Sequence, residues 1–105
     1  MPHDPELWIG LVEARPLDTK AYDAAGAFTH IVTWACDAAE FRTKADKILA
    51  TLDLYVFEVE GEKPLAQWLE KRDPSDEIED MIQRAESNPN AIVWGTFHRY
   101  RVDQA

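Results

Sequence analysis

Four segments rich in β-branched and aromatic residues constrain this chain most, because each carries large apolar side chains on both of its alternating faces. They are Leu7–Ala14, Ala27–Cys36, Leu54–Glu60 and Ala91–Arg101. In the second, Phe28, His30, Val32, Trp34 and Cys36 share one face, while Thr29, Ile31, Thr33 and Ala35 share the other. In the last, Ile92, Trp94, Thr96, His98 and Tyr100 oppose Val93, Gly95, Phe97 and Arg99. A small two-layer protein has helices for one sheet face only. The other face is therefore expected to meet a partner subunit, a ligand or another protein.

Between the second and third segments the apolar period changes from two to 3.6. Asp37 stands where a helix N-cap belongs, Glu40 completes a capping box, and Phe41, Ala45, Leu49 and Leu52 form one stripe. The spacing predicts a helix over 38–51, and a helix between two strands predicts that they run parallel through a right-handed crossover. Gly61 reads as a turn. Pro64, Leu65, Trp68 and Leu69 read as a short helical turn that buries Trp68, and Asp73-Pro74 opens a further helix with proline at its first position. Ile78, Met81, Ile82 and Ala85 give that helix its apolar face, and Asn88-Pro89-Asn90 ends it. The stretch 18–26, with Asp18 and Thr19 as candidate caps and Gly26 as a stop, reads as one or two helical turns within a hairpin connection.

The order strand, strand, helix, strand, helix, strand predicts an α+β two-layer sandwich of ferredoxin-like type, a four-stranded mixed sheet with two helices on one face. Residues 1–105 are read as a single domain, long enough to bury roughly two-thirds of the unfolded chain's surface. With 46% apolar and 30% charged residues the composition is too apolar for a disordered chain.

The 20 carboxylates against 11 lysines and arginines give a net charge of −9, which repels phosphate backbones and makes nucleic acid an unexpected partner. His98-Arg99-Tyr100-Arg101 is the one basic cluster. Cys36 is the only cysteine, so no disulfide forms within the chain and no Cys/His zinc pattern exists. The N-terminal residues lack a basic segment and an apolar stretch, and no apolar run approaches the ~20 residues of a membrane span. A cytoplasmic protein without a membrane partner is expected. Nucleotide-binding glycine motifs and the G-x-S-x-G elbow are missing, so no cofactor is expected.

If the His and Trp sets of the strands lie together, one open face combines Trp8, His30, Trp34, Trp94, His98 and Tyr100. The bland alternative is that these side chains are core beneath the helices. Trp and Tyr suit subunit interfaces because they bury much area and keep a polar handle. His30 and His98 have the titration range of an acid/base pair, but packing histidines on strands are commoner, and no catalytic set or metal site stands out. Cys36 sits at a helix N-terminus, which lowers a thiol pKa, yet the adjoining Asp37 opposes that, so an inert thiol is expected. Asp73, Asp76, Glu77, Glu79 and Asp80 complement a helix dipole, and also form an acidic surface that a basic partner could meet.

Three functions remain open. The first is a non-enzymatic interaction module, homodimeric through the aromatic face. The second is a dimeric α+β barrel enzyme or small-molecule binder with a pocket lined by His30, Trp34, Trp94 and His98. The third is an acidic inhibitor or immunity-type protein that binds a basic toxin or nucleic-acid enzyme through Asp73, Asp76, Glu79 and Asp80.

Overall fold

The computed structural model describes residues 4–18 and 25–100. Among them are five strands, β1 (Glu6–Pro16), β2 (Gly26–Ala35), β3 (Leu54–Pro64), β4 (Ile92–Trp94) and β5 (His98–Tyr100). Three helices accompany them, α1 (Ala38–Ala50), α2 (Leu65–Leu69) and α3 (Asp76–Ser87). The helical turns expected over 18–26 fall mostly outside the described residues. No described helix is long and apolar enough to cross a membrane.

The chain is a small α+β protein built on an antiparallel sheet of order β3-β1-β2-β4, with β5 also paired to β2. Five strands stand where four are expected, and the mixed sheet is corrected to an antiparallel one. The parallel expectation fails because β3 does not settle beside β2. It passes over to the far side of β1 and pairs there antiparallel, which aligns β2 and β3 in direction without making them neighbours.

The fifth strand arises from a break in the last apolar segment. Trp94 lies opposite Ile31 and His98 opposite Phe28, so three residues separate the first pair of positions on one strand where two separate them on the other. One surplus residue reverses the facing of everything after it. Trp94 and His98, expected on one face, therefore lie on opposite faces.

The helices also differ from expectation, since they cover both faces. Phe41, Ala45 and Leu49 of α1 pack with Val12, Ala14, Ile31 and Ala35 on one face. Leu65 of α2 and Ile78, Met81 and Ala85 of α3 pack with Ile9, Val32 and Val93 on the other. The premise that only one face could be covered is thus corrected to a helix layer on each side. Both faces of each strand are apolar for that reason.

Local chemistry sets the helix limits. Asp37 Oδ1 accepts the Glu40 N–H at 2.8 Å, and Glu40 Oε1 accepts the Cys36 N–H at 3.0 Å, a reciprocal cap one residue wider than the usual box. Helix α3 starts later than Asp73-Pro74 implies, because Ser75 caps it by accepting the Ile78 N–H at 3.2 Å. Asn88 ends it as expected. Leu65 is the buried anchor of α2, and Trp68 is only half-buried.

Strand β3 runs through the expected turn at Gly61 to Pro64, absorbing two bulges on the way. Opposite Gly10 stand both Gly61 and Glu62, with Gly61 at φ +63°, a left-handed backbone that glycine adopts without strain. Gly10 itself is needed for space. A Cβ there would come within 2.9 Å of Phe41 Cε1 and 3.2 Å of Glu62 Cβ, and the fully buried Phe41 ring has nowhere to move. Gly10→Ala is expected to destabilise the fold by about 1–3 kcal/mol through overpacking, read from chemical denaturation. A cost near zero would mean that Phe41 is not pinned.

Candidate functional site

Helices α2 and α3 cover only half of their sheet face. The cross-strand pairs continue past them as Leu11 with His30 and Glu13 with Phe28 on β1 and β2, flanked by Arg15 with Tyr55 on the β3 side and His98 and Tyr100 on β5. Leu11, Phe28, Tyr55 and Phe57 belong to neither buried cluster. Tyr55 and Phe57 are 37% and 44% exposed.

A polar and aromatic network organises this open half. The Tyr100 hydroxyl donates to Glu13 Oε2, which also accepts from Arg15 Nε and Nη2 at 3.3 Å each. The Arg15 guanidinium lies 3.3 Å from the centroid of the Phe57 ring, and the Phe28 and Tyr100 rings meet at 5.5 Å, tilted by 38°. The second β3 bulge makes the arginine contact possible. Phe57 is the surplus residue between Val56 and Glu58, which pair with Ala14 and Glu13, and the bulge carries its ring out beside Arg15. The Tyr100 hydroxyl is held above the ordinary tyrosine range by burial and then by the Glu13 carboxylate, so it remains a donor.

His30 is half-buried beside this network, and burial, with lesser contributions from His98 and Arg72, lowers its pKa while Glu77 acts the other way. Glu77 is fixed by the Thr96 N–H at 2.7 Å and the Thr96 hydroxyl at 2.9 Å, and those bonds hold its carboxyl below the usual range. Because the folded pKa of His30 lies below its unfolded value near 6.5, the unfolded chain takes up the proton first as pH falls. Stability is therefore present above about pH 6.5 and lost as pH falls through the depressed folded value. The melting temperature should decline as pH falls below about 6.5, and His30→Gln should flatten that part of the profile. An unchanged slope in the variant would remove His30 as its source.

Of the six aromatic and histidine residues expected to share a face, the structure brings His30, His98 and Tyr100 together on the open half. Trp34 shares their face but lies under α3, where its indole N–H donates to the Ala85 carbonyl at 2.7 Å. Trp8 and Trp94 lie on the α1 face by register, opposite Thr33 and Ile31. The pocket expected between His30, Trp34, Trp94 and His98 therefore does not converge on one side of the sheet. The buried indole N–H of Trp8 has no acceptor among the described residues. Trp34→Phe should accordingly cost about 1 kcal/mol more than Trp8→Phe in thermal unfolding, since only the first breaks a hydrogen bond. Equal costs would contradict that reading of the two indoles.

The acidic residues of α3 are exposed. Asp76 and Glu79 occupy its first turn, Asp80 pairs with Arg84 at 2.6 Å, and Asp73 precedes the helix. Burial, followed by Glu40 and Asp37, raises the Cys36 thiol, which stays protonated at neutral pH. Among the described residues no group of three His, Cys, Asp or Glu is placed to hold a metal ion.

Sequence reasoning missed Leu11, Glu13, Arg15, Tyr55 and Phe57 as members of the open half. Alternation along β1 places Leu11, Glu13 and Arg15 on one side, a signal present in the residues. The facing of Phe57 depends on a bulge that no local pattern announces. Comparison with protein-family models, with curated proteins and with solved structures gives no match.

Proposed function

We propose that this chain is a non-catalytic docking module that pairs reversibly with a second copy of itself through the open half of the sheet. The observation that carries this reading is the exposure of Tyr55 and Phe57 beside half-buried Leu11 and Phe28, an aromatic patch that no described helix covers. Aromatic residues of this kind form the centres of protein interfaces.

A second copy fits because the patch carries both signs of charge. Arg15 stands near Glu58 and Glu60, so a two-fold axis can set the cation of one copy against the carboxylates of the other. Pairing through the β3 edge is disfavoured by its two bulges and by Glu58, Glu60 and Glu62. The Asp46 carboxylate also takes the Val56 N–H at 3.3 Å, occupying an edge donor.

Four strands at ~4.8 Å spacing and about five residues at ~3.4 Å give the patch a projected area on the order of 300 Å². That is small beside the ~800 Å² per partner of a standard interface, so the dimer exchanges with monomer. The charge of −9 on each copy adds a net repulsion that outweighs the few opposite-charge contacts of the patch, and salt screens it. Raising salt from about 0.05 M to about 0.5 M should therefore strengthen self-association, as read by light scattering. Docking of a basic partner on Asp73, Asp76, Glu79 and Asp80 would weaken with salt, so association that falls with added salt contradicts the proposal.

A further inference from the structure

On the opposite face, beyond the C-terminal end of α1, the sheet forms the floor of a pocket of about 250 Å³. Its floor is the cross-strand pair Ala14 and Ala27, where the same face carries Val12 and Ile31 nearby. Two small side chains in place of larger ones create the space. Leu52, Leu54, Trp94 and Phe97 wall it, and Arg99 is its one charged lining residue among the described residues. Arg99 is exposed and makes no ion pair with a described residue, although the chain has 20 carboxylates.

We infer that this pocket binds a small amphipathic monocarboxylate, with its apolar body between Trp94, Leu52 and Leu54 and its carboxylate on the Arg99 guanidinium. The volume falls below the ~300–1,000 Å³ of sites for drug-sized ligands, which limits the occupant to a short acyl or single-ring acid. An apolar enclosure with one convergent polar group is the usual form of a small-molecule site. Guanidinium and carboxylate match in planar, paired hydrogen bonds, and that geometry selects the acid over a neutral compound of the same shape. The site is independent of the proposed dimer face, which lies on the other side of the sheet.

Sodium octanoate and 1-octanol, titrated into the full chain and followed by amide and indole NMR shifts, test this directly. The expected result is saturable binding of one octanoate per chain, with shifts centred on Ala27, Trp94 and Arg99, and about tenfold weaker binding of 1-octanol. Arg99→Gln, a change at an exposed position, should remove the tenfold preference while retaining the weaker apolar binding. Ala27→Leu should fill the pocket and abolish both. Absence of saturable octanoate binding up to about 10 mM, equal affinity for acid and alcohol, or an acid preference that survives Arg99→Gln would overturn the inference.

Discussion

Phe41→Ala is expected to cost about 3–5 kcal/mol and to lower the melting temperature by roughly 15–30 °C. Phe41 is fully buried at the centre of the α1 layer, among Val12, Ile31, Ala45 and Leu49. Its ring occupies the space above Gly10, and that position has no side chain to collapse into the cavity. Neighbouring β-strands are fixed by their own hydrogen bonds, so relaxation is limited. A domain of this size holds only about 5–15 kcal/mol of stability, so one ring carries a large share of it. Circular dichroism melts measure the loss, and a drop below about 5 °C would show that α1 is not docked on Gly10 as described. The two sites should also be coupled. Gly10→Ala is expected to cost less in a Phe41→Leu background, where the clash with the ring has gone.

Phe57→Glu is the corresponding change on the open half of the sheet, and it should weaken self-association at least tenfold. Phe57 is exposed on a bulge and contributes to neither buried cluster, so the fold should persist. The new carboxylate would lie beside Glu58 and could engage the Arg15 guanidinium that now stacks on the Phe57 ring. The variant therefore loses an aromatic contact, must desolvate a new carboxylate on association, and ties up the Arg15 that would face the partner copy, while its monomer keeps a partner for Arg15. Unchanged association by light scattering, with a native circular dichroism spectrum, would place the contact elsewhere on the molecule.

Much of the fold was legible in the residues. The Asp37 cap, the stripe of Phe41, Ala45 and Leu49, and the apolar face of Ile78, Met81 and Ala85 are local signals, and local hydrogen bonding and helical period decide them. Layer assignment was not legible, because an amphipathic helix states that it has a buried face without stating which side of the sheet receives it. The apolar character of both strand faces held that information. Val12 and Ile31 oppose Ile9 and Val32 in facing, as two helix layers require.

The site was half legible. His30 and Tyr100 fall on one face, but their alignment depends on the surplus residue between Trp94 and His98, and Trp94 was lost to the other face through that same residue. Phe57 joins the patch through another bulge. Bulges are set by the pairing of distant strands, so a single strand read by alternation cannot reveal them.

Sedimentation equilibrium of the unmodified chain from about 10 µM to about 1 mM, at moderate salt, tests the docking proposal most directly. The expected result is an average mass that rises with concentration from 12.0 kDa toward twice that value, with the rise suppressed by Phe57→Glu. A mass that stays at 12.0 kDa across the whole range would contradict it.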